Sequence, residues 1–321
     1  MNKRFPIYVA CPAHIATGGT EAAHALCYEL RKLGFVANMF YIDVKPANDL
    51  IPNRFLRFQN PYCLKLHDSA QALLVIPETR TELIDKFPLM TKYIWWLSVD
   101  NYCRPFRLCG PRSMYHLLKD RITKRNVDFN DNSIRHLCQS HYAMDFLKRQ
   151  GVQNACFLMD YLGDEHLSGV GQNESRENIV LYNPSKGLSF TRQIIKASPH
   201  SYKFIPLQNM SPGEVHSWCC RAKVYIDFGN HPGKDRFPRE AAMAGCLVIT
   251  SKRGSAAFYN DVPINDSYKF YDSRNNIPKI TELILDCMNN YKKRWLDFEG
   301  YRDFIREDYT RFVKQVRAIF L

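Results

Sequence analysis

Basic side chains gather in the loops that follow two predicted strands between Lys223 and Ser255. The segment predicts a strand over 224–228, a loop with glycine and proline over 229–238, a short helix from Arg239 and a buried strand over 246–250. In an open parallel sheet, ligands bind beyond the carboxyl ends of the strands. The basic residues in these loops are Lys234, Arg236, Arg239, Lys252 and Arg253. They favour a phosphate-bearing ligand, although a solvated basic loop would have the same composition.

A glycine turn near the start of the chain is a second candidate for ligand binding. Residues 6–11 predict an apolar strand, and a helix from Thr20 carries apolar residues at three- and four-residue spacing. The next strand is predicted over 35–42, so Gly18 and Gly19 lie in the first turn of a βαβ unit. The glycines lack the spacing of a dinucleotide-binding motif, and a plain tight turn is the alternative.

Two polar residues follow the predicted buried strand over 92–99. Because residues at the carboxyl end of a central strand face the ligand-binding edge of a sheet, Asp100 and Asn101 are candidates for contacts to hydroxyl groups of a ligand. The alternative role for Asp100 is to cap a helix.

The segment 238–250 reads PREAAMAGCLVIT and resembles the "EAMA-G-PVI" segment of retaining GT-B glycosyltransferases of the family-4-like group. In that family the glutamate that matches Glu240 receives the ribose hydroxyls of a nucleotide sugar. A carboxylate at the start of a helix is a suitable acceptor for two hydroxyl protons. The resemblance therefore implies a ribose-binding role for Glu240.

Other short segments extend this resemblance. The sequence NPSKG over 183–187 is similar to the family's turn in which a lysine before glycine binds the donor diphosphate, here Lys186. The turn at 18–21 is similar to the family's opening "GG-x-E", and the strand end after 202–207 matches one that lies beside the nucleobase. The donor-binding residues implied in this way, or by the loop positions above, are Gly18, Gly19, Lys186, Gln208, Asn209, Lys234, Arg236, Glu240, Arg253, Gly254 and Ser255.

The sequence departs from the family pattern in two places. The family often has a second glutamate eight residues before the position of Glu240, where this chain has Pro232. The donor sugar pocket is therefore expected to differ, and an unusual or acidic sugar would fit the charged residues beside it. The arginine that usually precedes the phosphate-binding lysine is also missing, and the candidates to replace it are Arg192, Arg236 and Arg253.

The fold class implied by the resemblance is α/β, of the GT-B type, with two Rossmann-like domains that face each other across a cleft. The acceptor-side domain is expected over 1–168 and the donor-binding domain over 169–298. A polar linker is expected over 169–177, and a C-terminal helix at 299–321 is expected to return to the first domain.

The composition limits the class of protein. The 321 residues are 45% hydrophobic and carry a net charge of +12, which is typical of a globular protein with anionic partners. The sequence shows no nucleic-acid-binding motif, no apolar run of membrane-spanning length and no signal peptide. Eleven cysteines without a CxxC pair indicate reduced, cytoplasmic thiols.

The partners follow from these observations. Nucleotide sugar and a saccharide or lipid-linked acceptor are expected, with no nucleic acid. Arginines and aromatic residues over 101–130 would suit an anionic membrane surface, so a peripheral position on the inner face of the membrane is an alternative to a purely cytoplasmic one. An ordinary solvated helix face would look similar. No metal or other cofactor is expected, since no DxD-type motif occurs.

Three functions are compatible with the sequence. The first is a retaining glycosyltransferase of bacterial surface-polysaccharide synthesis, including capsule and lipopolysaccharide. The second is a GT-B nucleotide-sugar epimerase, for which the catalytic carboxylates and histidines cannot be placed in the sequence. The third is a non-catalytic basic binding module. No general base or nucleophile can be named from the sequence.

Overall fold

The computed structural model describes residues 5–46, 49–103, 127–167 and 175–321. These residues form two compact units: 1–160 together with Thr310–Leu321 make the first, and Tyr161–Tyr309 make the second. Most of the expected linker at 169–177, and the expected boundary at 168/169, lie outside the described residues. So does most of the basic segment at 101–130.

In the described part of the first unit, seven strands form a parallel sheet in the order β3-β2-β1-β4-β5-β6-β7. The strands are β1 (Ile7–Pro12), β2 (Ala37–Ile42), β3 (Tyr62–Cys63), β4 (Leu73–Pro77), β5 (Thr91–Trp96), β6 (Ile134–Cys138) and β7 (Ala155–Phe157). Its helices are α1 (Gly18–Lys32), α2 (Leu83–Lys86), α3 (Val99–Tyr102) and α4 (His141–Arg149), with 3-10 turns at Asn53–Phe58 and Glu78–Arg80.

The described part of the second unit contains five parallel strands in the order β12-β11-β10-β8-β9. The strands are β8 (Glu177–Tyr182), β9 (Lys203–Pro206), β10 (Ala222–Asp227), β11 (Leu247–Ser251) and β12 (Lys269–Phe270). The helices are α5 (Leu188–Ala197), α6 (Pro212–Arg221), α7 (Arg236–Met243), α8 (Ile277–Asn289), α9 (Tyr291–Leu296) and α10 (Glu299–Arg306), with 3-10 turns at Asp164–His166, Gly254–Ala257, Asp266–Tyr268 and Arg274–Asn276.

Uninterrupted apolar runs explain the central strands. The valine, isoleucine and leucine residues of β4, β5, β8, β10 and β11 are almost completely buried, as expected for parallel strands that helices cover on both faces. Helix α1 begins at a capping box made by Thr17 and Thr20 and buries Leu26 and Leu30 against the sheet. Helix α6 begins at the capping box of Ser211 and Glu214.

The last helix, α11 (Asp308–Phe320), crosses the division of the chain. From Thr310 onward its residues belong to the first unit, where Phe320 contacts Phe35 and Tyr93 and Gln315 accepts a hydrogen bond from the Met159 amide. The preceding helix α10 lies in the second unit, so the segment that joins the first unit is shorter than the expected 299–321.

Each sheet has a point where the strand order reverses. In the first unit it lies between β1 and β4, and in the second it lies between β8 and β10. Ligands of open α/β sheets bind at such points, beyond the carboxyl ends of the strands. The loops after β8 and β10 are therefore the first place to look for a site in the second unit. Within the described residues, no helix has both the length and the apolar character needed to cross a bilayer.

Candidate functional site

Two glycines bring the loops after β8 and β10 into backbone contact. Gly187 has a φ of 60°, and a Cβ there would lie 2.0 Å from the Phe228 carbonyl oxygen. Gly229 has a φ of 105°, and its Cβ would lie 2.6 Å from the Gly187 nitrogen. Any side chain at either position would collide with the other loop, and only glycine adopts these angles readily. The contact places Lys186 directly beside the loop that follows β10.

Lys186 is the central cation of this site. Its Nζ lies 3.1 Å from Asp227 Oδ1 and 3.4 Å from His231 Nδ1, and it forms an ion pair with Asp235. Burial acts to lower the pKa of Lys186, but the two carboxylates outweigh it, so the pKa is raised above its ordinary value. The ammonium therefore keeps its charge, although only 18% of the side chain is exposed.

His231 and Asp235 complete the cluster. His231 is fully buried, with Nδ1 2.8 Å from Asp235 Oδ2 and Nε2 3.1 Å from the Asp227 carbonyl oxygen. Burial acts to raise the pKa of Asp235, but the hydrogen bond from His231 and the charge of Lys186 lower it below its ordinary value. Asp235 is thus ionised at neutral pH.

Sequence reasoning missed this cluster. The i,i+4 spacing of His231 and Asp235, together with an aspartate at the end of β10, was the available signal. Asp227, His231 and Asp235 also form the one group in the described ranges whose ligand atoms are close enough to hold a metal ion. The Lys186 ammonium is paired with both carboxylates of this group, so it occupies the position that a metal ion would take.

Glu240 lies on α7, one helical turn after Arg236. Helix α7 begins at Arg236, three residues before the start at Arg239 that the sequence predicts, so Glu240 does not cap it. The Arg236 Nε donates to Glu240 Oε1 at 3.0 Å, and His166 Nε2 lies 3.4 Å from Arg236 Nη2 and 3.7 Å from Glu240 Oε1. The glutamate carboxylate is held in a fixed direction and remains 16% exposed.

Lys234 is buried rather than exposed. Its ammonium lies 2.7 Å from Asp308 Oδ1 and over the ring of Phe304, and the Arg239 guanidinium lies 3.3 Å from Asp308 Oδ2. Arg239 also donates to the Lys234 carbonyl oxygen. The sequence predicts that the Lys234 ammonium binds the donor, but its charge is already paired with Asp308 within the unit. A contact between Lys234 and the donor would require the Lys234–Asp308 pair to open.

Gly254 and Ser255 hold the loop that carries His231. A Cβ at Gly254 would lie 2.0 Å from the His231 carbonyl oxygen, and the Ser255 amide donates to the same oxygen at 2.9 Å. The Ser255 hydroxyl donates to the Gly233 carbonyl oxygen at 2.5 Å, and Ser255 is fully buried. The polar groups of Ser255 are thus used to fix the loop.

The remaining predicted arginines lie nearer the surface. Half of the Arg253 side chain is exposed, and its Nη1 lies 3.4 Å from Asp272 Oδ2. Arg192 is exposed on α5. Gln208 and Asn209 are exposed just after β9, the strand beside β8, and Asn209 has a φ of 55°. Their positions leave these side chains accessible to a ligand at the same edge of the sheet.

The predicted residues of the first unit occupy two strand ends. Gly18 and Gly19 form the first turn of α1, after β1, and a Cβ at Gly19 would make only an ordinary 3.5 Å contact with Leu97. Asp100 and Asn101 lie on α3, after β5, where the N-cap is Ser98 rather than Asp100. The Tyr142 hydroxyl donates to Asp100 Oδ1 at 2.6 Å, and burial together with this bond raises the pKa of Tyr142.

The arrangement in the second unit can bind an anion. A half-buried, charged lysine lies at the reversal of strand order, where backbone amides of a glycine turn and the start of α5 face the same edge. The Glu240 carboxylate, on the helix that follows the adjacent loop, can accept hydrogen bonds from a polar ligand.

The fold is known from solved structures. No family profile and no curated protein matches the sequence. A sucrose-phosphate synthase from Thermosynechococcus elongatus matches with a TM-score of 0.64 at 12% identity, over 99% of this chain and 98% of that one. A glycosyltransferase from Rickettsia africae matches with a TM-score of 0.65 at 12% identity, over 98% and 97%. The HepE protein of Anabaena, in complex with UDP-glucose, matches with a TM-score of 0.62 at 10% identity, over 98% of each chain.

These similarities establish a fold. The chain has the α/β architecture of GT-B glycosyltransferases, as the sequence resemblance predicts, and the match extends over nearly the whole of both chains. Identities of 10–12% carry no activity with them. The function has to be argued from the site.

Proposed function

We propose that this protein is a glycosyltransferase that takes a sugar from a nucleoside diphosphate donor. The observation that carries the proposal is the position of Lys186, a charged lysine in a glycine turn at the strand-order reversal of the second unit. A charged, half-buried lysine at such a place is suited to bind phosphate.

The donor diphosphate is proposed to bind at Lys186 and at the backbone amides that begin α5. The ribose is proposed to bind at Glu240, whose carboxylate Arg236 holds in place. Gln208 and Asn209, exposed beside the same edge, are proposed to contact the base. The solved HepE structure contains UDP-glucose, which supports a nucleotide sugar as the ligand of this fold.

Catalysis is proposed to rest on stabilisation of the leaving diphosphate by the lysine and the amides around it. Preorganised positive groups of this kind supply the largest single contribution in many enzymes. We further propose retention of configuration, no metal requirement, and a saccharide or lipid-linked acceptor of bacterial surface polysaccharide. Asp100, Asn101, Gly18 and Gly19 remain proposed contacts of sugar or acceptor. A cytoplasmic or peripheral membrane location is proposed with them.

The proposal is tested by incubating the protein with a panel of nucleotide sugars and measuring free nucleotide. Slow release of one nucleoside diphosphate, accelerated by an acceptor, is expected. Conversion of a nucleotide sugar to its epimer without net loss of the sugar would indicate the epimerase alternative. If the protein neither releases, converts nor binds any nucleoside diphosphate or nucleotide sugar, the proposal is overturned and a binding module is favoured.

A Glu240→Gln variant is expected to bind the released nucleoside diphosphate roughly ten- to a hundredfold more weakly, because hydrogen bonds to a charged group contribute about 1.5–3 kcal/mol. Calorimetric titration with the ribonucleotide and its 2′-deoxy form measures the effect. Wild type should prefer the ribonucleotide, and the variant should discriminate little.

Glu177→Gln is the matched control, since Glu177 also pairs with an arginine but lies on the surface, 48% exposed. It should bind as wild type does. A wild-type protein that binds ribo and deoxy forms equally would remove Glu240 from the ribose site.

A further inference from the structure

Lys186, the lysine proposed to bind phosphate, is already paired with carboxylates of the protein itself. Lys186 forms an ion pair with Asp235 and lies 3.1 Å from Asp227 Oδ1. Two carboxylates of the protein thus lie beside this one ammonium. An incoming diphosphate would therefore meet like charge within a few ångströms of the cation that should bind it.

The two carboxylates differ in their freedom to move. Asp227 ends β10, is 1% exposed and accepts a hydrogen bond from the Tyr225 hydroxyl at 2.9 Å. Asp235 lies in the loop before α7, with 23% of its side chain exposed. Its side chain does not cap that helix, although the residue occupies the N-cap position. Asp227 is part of the sheet, whereas Asp235 can be displaced.

Asp235 also has a second partner that would remain after displacement. His231 Nδ1 lies 2.8 Å from the same carboxylate oxygen, Oδ2, that pairs with Lys186. If the ammonium turns to a phosphate oxygen, the carboxylate still keeps this hydrogen bond. The exchange therefore does not leave the half-buried carboxylate without a donor, which would be costly.

We infer that Asp235 competes with phosphate for Lys186 and so weakens the affinity of the site for nucleoside diphosphates. The inference rests on the proposed function and adds to it a residue that sets affinity. A ligand must displace the carboxylate to bind, and the carboxylate returns to the ammonium when the ligand leaves. This arrangement favours release of the nucleoside diphosphate product.

The inference is tested with inorganic pyrophosphate, the part common to all nucleoside diphosphates. Asp235→Asn is expected to bind pyrophosphate about tenfold more tightly than wild type in calorimetric titration, a gain that corresponds to 1.4 kcal/mol. Asp235→Ser, with a smaller neutral side chain, is measured alongside in case the first variant folds poorly. The gain should disappear in the double variant with Lys186→Ala, because it requires the freed ammonium.

Asp303→Asn is the control for the loss of one negative charge, since Asp303 is 61% exposed on the same unit. It should bind pyrophosphate as wild type does. Neutral variants at position 235 that bind equally or more weakly would overturn the inference and make Asp235 a residue that positions Lys186. Absence of pyrophosphate binding in all the proteins would overturn it as well.

The test of the proposed function is separate from this test of Asp235. It depends on whether wild type binds or releases a nucleoside diphosphate at all, whereas the inference depends on the ratio of pyrophosphate affinities between variant and wild type.

Discussion

A Lys186→Ala variant is expected to lose roughly ten- to a hundredfold in affinity for nucleoside diphosphate, because a charge-assisted hydrogen bond contributes about 1.5–3 kcal/mol. Lys186 is the cation at the strand-order reversal of the second unit, and its pKa is raised, so the charge is present at neutral pH. Calorimetric titration and the rate of nucleotide release both measure the loss. Circular dichroism is recorded first, since the change also removes a cation from two carboxylates.

Lys196→Ala is the matched control because Lys196 is exposed near the end of α5, the helix that follows Lys186. It removes the same charge from the same unit but not from the strand ends. Its affinity should equal that of wild type. A folded Lys186→Ala protein with wild-type affinity would show that phosphate binds elsewhere.

Replacing Asp308 by alanine is expected to lower the free energy of unfolding by about 3–5 kcal/mol, the usual cost of removing one member of a buried ion pair. Asp308 is buried, and its two oxygens bind the buried Lys234 and Arg239. Both cations would lose this carboxylate in an environment that water does not reach. Chemical denaturation followed by tryptophan fluorescence measures the change.

Asp308→Asn separates charge from shape, because the amide keeps the volume but not the negative charge; it should still destabilise the protein. Asp303→Ala, at an exposed pair with Arg306, should change stability by less than about 1 kcal/mol. Equal stability of Asp308→Ala and Asp303→Ala would show that the buried pairs contribute nothing.

The central strands were predictable from local sequence. Runs such as 179–181 and 224–226 are apolar along their whole length, and the structure buries them in the interior of a parallel sheet. Two short strands of the first unit were not predicted. Tyr62–Cys63 and Ala155–Phe157 lie at the two edges of the first sheet, and they are too short to show a pattern.

The candidate site was predictable from sequence only where its characteristic residues follow each other in a single turn. Lys186 stands out because a strand, a lysine and a glycine follow each other. Its partners Asp227 and Asp235 lie more than forty positions further along the chain, and only the pairing of β8 with β10 brings them to it. Lys234 was predicted to bind the donor because it lies in a basic loop, and its burial depends on Asp308, 74 residues away.

The contact between Gly187 and Gly229 has a consequence for how this protein can vary. Since neither glycine tolerates a side chain, the two loops cannot diverge independently, and an insertion in one would push the other away. A library that aims to change the ligand preference of this site should therefore leave both glycines untouched. Diversity is better placed at the exposed Gln208, where new side chains meet solvent instead of a neighbouring backbone.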